Sequence, residues 1–314
     1  MAGKNPRVVK VHFILGCTGC GKGAVGRELA KRIGGQIVSV DSMKIYRRMD
    51  IGTAKPPPEA RAEVPYHCID IVEPSEGFSV AQYLEHADAA TKRIAATGDA
   101  VLAVGGTSLF IKALSEGLFE GPSADPELRA QLAGRAETEG LPALHAELAR
   151  VDPEAASRIH PNDQRRIIRA LEVFLTAGRP ISELQRQWDA GGRRYDCLFI
   201  GLRRPREDQA RRINLRVRRM IEAGLRDEVA ALLAEPAGLG PQAAQAVGYA
   251  EMIDHLQGRS TLEEAVERIK VNTRQLAKKQ RTWHRRWRDV LWLDLAADEP
   301  PQHTAERALK AIGA

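Results

Sequence analysis

The run GCTGCGKG, residues 16–23, constrains this chain more than any other feature. It follows the apolar, β-like residues Val9, Val11, Phe13, Ile14 and Leu15, and it opens a helical pattern over 24–33. Strand, glycine loop, lysine and helix in that order make a phosphate-binding P-loop. Gly16, Cys17, Thr18, Gly19, Cys20 and Gly21 can curl backbone N–H groups round an anion. The helix N-terminus adds positive potential, and Lys22 adds a full charge. One position departs from the pattern GxxxxGK(S/T): Gly23 stands where a hydroxyl usually ligates Mg²⁺. The loop alone fits a nucleoside triphosphate such as ATP, or a simple pyrophosphate.

The chain has 314 residues, 43% hydrophobic and 28% charged, which is a globular composition able to bury a core. Its net charge of +6 is modest, but basic residues pile up late in the chain and point to a polyanionic partner more than a membrane. No apolar run reaches spanning length, and MAGKNPRVVK lacks the apolar centre of a secretory leader. A cytoplasmic location is therefore expected. Cys17 and Cys20 form a CxxC, but no second pair follows at zinc spacing. A bridge would also stiffen a loop that must wrap an anion, so reduced thiols are expected.

Up to residue 120 the pattern alternates. Strands are predicted at 8–15, 36–40, 68–72 and 100–104, and helices at 24–33 and 80–97. Buried strands joined by helices predict an α/β core, a parallel sheet with helices on both faces. Ligands of such sheets sit at the carboxyl ends of the strands, where the P-loop, Asp41 and Thr107 fall. From 121 to 195 the pattern turns helical, and 197–202 resumes the sheet. The expected organisation is a P-loop core from 1–120 and 196–314, with helices after Pro205, and an inserted helical subdomain at 121–195. Those later helices are read at 207–223, 226–234, 241–256 and 262–287.

Several constellations carry chemistry. Asp41 ends the second strand, where a carboxylate can ligate Mg²⁺, act as a general base or simply cap a turn. Gly52, Thr53 and Lys55 form a polar, anion-friendly loop or a solvated connector. The turn Gly105, Gly106, Thr107 allows close backbone approach and offers a hydroxyl, or only a helix cap. Arg165, Arg166 and Arg169 suit phosphate contacts or a solvated helix face. Arg212, Arg216 and Arg219 recur at helical spacing and repel one another without an anion. The stretch 273–288 interleaves Lys and Arg with Trp283 and Trp287 and contains no acid, which suits RNA. The indoles are expected to face inward and the guanidinium groups outward.

Together these motifs resemble the tRNA dimethylallyltransferase family, also called tRNA isopentenyltransferases. The resemblance runs from residue 8 to about 294 and rests on an ordered set. Its members are SVDS at 39–42, DIGTAKP at 50–56, VGGTSLF at 104–110, PSADPELR at 122–129, HPND with RALEVF, GY at 248–249, and TRQLAK with TW. The resemblance implies transfer of a dimethylallyl group from dimethylallyl diphosphate to N6 of adenosine 37 in tRNA, on a P-loop α/β core with an inserted helical domain. Thr18 to Gly23 would cradle the diphosphate, with Lys22 and Arg216 holding its charge. Asp41 would be the general base, and Thr107 would line the reaction channel. Contacts to the anticodon stem-loop would come from Asp41, Ser42, Met43, Lys44, Thr107, Arg129, Arg165, Arg166 and Arg169. Gly248, Tyr249, Lys278, Lys279, Gln280, Arg281, Trp283 and Arg285 would complete them. Mg²⁺ is the implied cofactor, resting on the diphosphate, Asp41 and water because Gly23 offers no hydroxyl. A monomer of the bacterial type is expected.

Two other classes compete. A small-molecule P-loop kinase would lean on the hydroxyl that Gly23 lacks, and the basic, Trp-bearing helix would be surplus to it. A catalytically silent tRNA binder would not need Lys22, Asp41, Thr107 and Arg216 together.

Overall fold

The computed structural model describes residues 8–190 and 192–313. The first residues of the N-terminal stretch, read above as lacking a leader, lie outside the described residues. The chain divides into two compact units, one made of Met1–Ser115 with Arg193–Ala314 and the other of Glu116–Gly192.

The first unit is built on a six-stranded, all-parallel sheet. Its strands are β1 (Lys10–Gly16), β2 (Gly35–Val40), β3 (Tyr66–His67), β4 (Ala100–Gly105), β5 (Asp196–Arg203) and β6 (Val290–Asp294), in the order β3-β2-β4-β1-β5-β6. β1 is central and buried along its length from Val11 onward. Continuous burial on both faces is why these strands read as apolar runs rather than alternating ones. On one face Val11, Phe13, Val40, Ala103 and Phe199 pack under helices, and the Phe13 and Phe199 rings stack at 4.6 Å. The other face buries Ile14, Leu102, Ile200 and Leu293.

Helices α1 (Lys22–Ile33), α2 (Pro58–Glu63), α3 (Val80–Thr97) and α4 (Ser108–Glu116) follow the early strands. α3 starts where Ser79 and Gln82 form a reciprocal capping box and stops at Gly98, in the left-handed region at φ 84°. The second unit holds α5 (Pro126–Thr138), α6 (Leu141–Val151), α7 (Pro153–Arg158), α8 (Gln164–Ala177) and α9 (Ile181–Ala190) around Leu132, Leu144, Leu148, Ile167 and Leu171. The first unit ends with α10 (Arg206–Glu222), α11 (Leu225–Ala234), α12 (Pro241–Ala244), α13 (Tyr249–Leu256), α14 (Leu262–His284) and α15 (Pro301–Ile312). No helix among the described residues is long and apolar enough to cross a membrane.

Three local expectations need correction. The strand expected at 68–72 is instead the two-residue β3, because Cys68 and Asp70 take left-handed φ of 59° and 52°. That bend is held by Asp70, whose carboxylate accepts from Lys55 Nζ at 2.7 Å and Arg61 at 2.6 Å. The helix expected at 241–256 is broken before Tyr249, where Gly248 has φ 102°. β6 was not anticipated, although its run VLWL is apolar and β-prone.

Candidate functional site

The P-loop leaves β1 at Gly16 and enters α1 at Lys22. Four of its carbonyls accept from side chains. Lys22 Nζ lies 3.5 Å from the Cys17 carbonyl, Gln209 Nε2 donates to the Thr18 carbonyl at 2.7 Å, and Arg204 Nε donates to the Cys20 carbonyl at 3.0 Å. Arg212 Nε reaches the Gly19 carbonyl at 3.3 Å. Two N–H groups of the loop are engaged as well, Thr18 with Gln280 Oε1 at 2.7 Å and Cys20 with the Cys17 carbonyl at 3.2 Å, so the turn from Gly21 into α1 is the part left to offer N–H groups to an anion. Cys17 and Cys20 are free thiols, and burial pushes the Cys17 thiol up, so it is a poor nucleophile.

Asp41 and Thr107 sit beside this loop at the carboxyl edges of β2 and β4. Asp41 Oδ1 accepts from the Met43 N–H at 3.0 Å, and Thr107 Oγ1 accepts from the Ser42 N–H at 3.1 Å. Both residues therefore shape their turns and remain partly open. Arg216 donates to Thr18 Oγ1 at 2.7 Å, while its Nε is buried without a partner. Burial pulls the pKa of both Lys44 and Arg216 down, and Asp41 is the carboxylate that opposes this at both. Among the described residues none of Lys22, Lys44 and Arg216 forms an ion pair. Lys44 and Arg216 share the one carboxylate Asp41, and Lys22 adds a third positive charge near Lys44, so the site is short of negative charge.

A cleft of about 220 Å³ adjoins the site through Gly23 and Lys44, which line it with Arg27, Ile37, Ser39, Lys55, Tyr66 and Val104, while Lys22, Asp41, Thr107 and Arg216 do not. Its mixed walls suit a ligand with a charged head and a short hydrocarbon tail. The donor set does not make a resident metal site. No cluster of three His, Cys, Asp or Glu exists among the described residues, and Asp41 stands among cations.

The remaining expected contacts divide sharply. Lys278, Lys279 and Arg285 are exposed on or just past α14. Arg281 turns inward and donates to Gln209 Oε1 at 2.6 Å, so it braces the P-loop. Gln280 also turns inward. Trp287 packs against Phe199 with ring centroids 5.1 Å apart, whereas the partly exposed Trp283 carries Arg286 over its ring at 4.9 Å. Only one of the two indoles is thus part of the core. On α10, Arg219 is exposed, so the expected three-arginine face reduces to Arg212 and Arg216 at the loop.

Gly248 and Tyr249 are corrected outright as RNA contacts, because both are buried and Tyr249 is 0% exposed. The Tyr249 hydroxyl donates to Glu228, whose carboxylate accepts the N–H groups of Asp50, Ile51 and Gly52 at 2.8–3.2 Å. A Cβ on Gly52 would run into the Tyr249 ring. The loop at 50–55 is therefore neither anion-binding nor a solvated connector. Lys55 is buried, and it donates to the Tyr46 carbonyl and to Asp50 and Asp70. Glu228 escaped the sequence reading, since nothing local marks a carboxylate that serves a loop far away in the chain.

In the second unit, Arg129 and Arg169 both bind the fully buried Glu172, at 2.9 and 2.7 Å. Burial alone would raise the Glu172 carboxyl, but Arg129, Arg169 and the Asp125 N–H outweigh it and hold it below the usual range. These two arginines thus carry a structural load as well as any external contact. Arg166 is exposed and lies 3.4 Å from Asp163. Arg165 shares the exposed side of the first turn of α8. A glutamate within the apolar stretch of RALEVF was the available signal for the buried pair.

His284 is 2% exposed, and neither ring nitrogen has a partner. Burial, helped by Lys22, lowers its pKa from 6.5 to about 4. Above pH 6.5 both folded and unfolded forms are neutral, and no stability is lost. As the pH falls from 6.5 towards 4, the unfolded chain gains a proton that the folded protein refuses, so stability falls. The loss should level off at about 3 kcal/mol. His284→Leu should flatten this part of the profile in denaturant titrations. Parallel losses in variant and parent would refute the assignment.

Residues 44–287 match the family profile described as IPP transferase. The chain belongs to this family. A tRNA dimethylallyltransferase of Geobacter metallireducens is 46% identical over 291 residues, covering 93% of this chain and 94% of that one. One from Anaeromyxobacter dehalogenans is 44% identical over 96% of this chain and its own full length. Among solved IPP transferase relatives, the tRNA isopentenylpyrophosphate transferase of Bacillus halodurans superposes with a TM-score of 0.71 at 39% identity, covering 97% and 95% of the two chains. A eukaryotic dimethylallyltransferase captured acting on tRNA gives a TM-score of 0.79 at 27% identity, covering 96% of this chain and 78% of that one.

Proposed function

We propose that this protein transfers the dimethylallyl group of dimethylallyl diphosphate to N6 of adenosine 37, next to the anticodon of tRNA. The observation that carries this reading is the anion-starved trio of Lys22, Lys44 and Arg216 around Asp41 at the mouth of the P-loop. The diphosphate occupies the loop, and its hydrocarbon end lies in the cleft. The target adenosine leaves its stack to reach Asp41. N6 attacks C1 of the allyl group, the C1–O bond breaks, and its electron pair leaves with pyrophosphate. Asp41 takes the proton lost by N6. Lys22 and Arg216 stabilise the charge growing on the leaving group. The exposed Lys278, Lys279 and Arg285 attract the RNA backbone.

Mg²⁺ would arrive with the diphosphate rather than wait on the protein. A Cβ on Gly23 would meet nothing within 4 Å, so a threonine fits there. Gly23→Thr should lower the Mg²⁺ concentration needed for half-maximal transfer, and an unchanged value would remove Gly23 from this role.

The deciding assay gives the purified protein labelled dimethylallyl diphosphate with unmodified tRNA, and separately with AMP. Label in tRNA is the expected result. Label in AMP would mean a nucleotide prenyltransferase, and tRNA binding without label would mean a silent binder.

A further inference from the structure

Thr18 is held at all three of its polar groups by side chains from distant helices. Its hydroxyl accepts from Arg216, its carbonyl from Gln209, and its N–H donates to Gln280 Oε1 at 2.7 Å. The other end of the same Gln280 amide donates from Nε2 to the Gly106 carbonyl at 2.9 Å. One partner is an N–H and the other a carbonyl, so only one orientation of the amide satisfies both. Gly106 admits this closeness because a Cβ there would lie 2.7 Å from Gln280 Nε2.

The contacts continue on the far side of Gly106. The Gly106 and Thr107 N–H groups both donate to the Val40 carbonyl, at 3.1 and 3.2 Å. The Thr107 hydroxyl accepts from the Ser42 N–H, next in sequence to Asp41. Hydrogen bonds and the short backbone links Gly106–Thr107 and Asp41–Ser42 thus join the loop that would hold the leaving group to the turn that carries Asp41, and Gln280 is the bridging side chain.

We infer that Gln280 is a positioning residue, which sets the separation between the phosphate loop and the turn carrying Thr107, and so between leaving group and base. This rests on the function proposed above. Both ends of the Gln280 amide are engaged within the protein, which removes it from the set of tRNA contacts expected from the motif. Lys278 and Lys279, just before it on α14, remain free to meet RNA. The inference matters because reacting groups misplaced by about 1 Å lose around 100-fold in rate.

The test uses Gln280→Ala, Gly106→Ala and the double variant, all checked for a native unfolding transition. Inorganic pyrophosphate binding, measured by calorimetry, reads the loop without any need for turnover. For Gln280→Ala the pyrophosphate Kd should rise about 5–20-fold, because the loop loses the side chain that fixes Thr18 and the ligand must then order it. Transfer kcat should fall about 10–100-fold, while the Kd for tRNA alone stays within about twofold of the parent. Gly106→Ala should show the same split, since its added methyl displaces the Gln280 amide. The double variant should lose less than the two single variants' losses combined, because the methyl's tightest contact is the Gln280 amide at 2.7 Å, ahead of the Gly16 carbonyl at 3.1 Å. Unchanged pyrophosphate binding, or a tRNA Kd that weakens instead, would overturn the inference. If the parent protein transfers no label at all, the proposed function fails, yet pyrophosphate binding still decides the role of Gln280.

Discussion

Asp41→Ala should cut turnover by about 10²–10⁴-fold, the range for loss of a general base. Its effect on ligand binding should run the other way. Asp41 is the negative charge that eases the burial of Lys44 and Arg216. Without it the site is still more electropositive, so pyrophosphate should bind as tightly as before or a few-fold more tightly. Slower chemistry with undiminished anion affinity is a combination that a collapsed site cannot give. Single-turnover rates with saturating tRNA, paired with pyrophosphate calorimetry, measure both. Near-normal turnover would remove Asp41 from the role. Weakened pyrophosphate binding would mean that its hydrogen bond to the Met43 N–H matters more than its charge.

Arg216→Met should lower kcat/KM by about 10²–10³-fold, the cost of removing one preorganised charge from a developing anion. The guanidinium reaches Thr18 inside the loop, and its Nε is buried without a protein partner. Arg216→Lys should recover only part of the loss, since an ammonium lacks the planar fork. Stability should move in the opposite direction. A half-buried cation whose Nε is buried and which forms no ion pair burdens the fold, and methionine fills similar space without a charge. The ligand-free variant should therefore melt at or above the parent temperature. A kcat/KM within about threefold of the parent would contradict the assignment. A large fall in melting temperature would instead give Arg216 a structural duty.

The two variants probe opposite signs of one electrostatic arrangement. A pocket with surplus positive charge is unfavourable when empty and favourable when a diphosphate fills it. Part of the stability of the fold is thereby exchanged for affinity and for stabilisation of the leaving group.

Much of this arrangement was legible in the residue order. The P-loop, β1, β2, β4, β5 and α3 lie where local pattern predicts them, because apolar runs, glycine turns and capping residues act over a few neighbours. Asp41 and Thr107 could be found for the same reason, since a polar residue directly after a buried strand lies at the sheet edge that binds ligands.

β6 and the break at Gly248 carried local signals, but the other illegible parts depend on partners further along the chain. β3 is short because Lys55 and Arg61 grip Asp70 in a bend, which no local propensity records. Gly248 and Tyr249 were among the residues that carried the resemblance, yet Tyr249 serves Glu228 and the loop at 50–52 from inside the fold. Basic helix α14 suggested indoles inward and guanidinium groups outward, but Arg281 turns inward to Gln209 and Trp283 stays partly exposed.

The order of residues determined the phosphate loop, the parallel sheet and the charges available to the site, because each follows from local geometry and side-chain type. Tertiary structure alone decided which of those charges stay uncompensated and which are neutralised. Lys55 and Lys44 are both lysines near the same loop, but carboxylates reach only the first within bonding distance. Burial makes that difference count, since a cation withdrawn from water must find its partner in the protein or in the ligand.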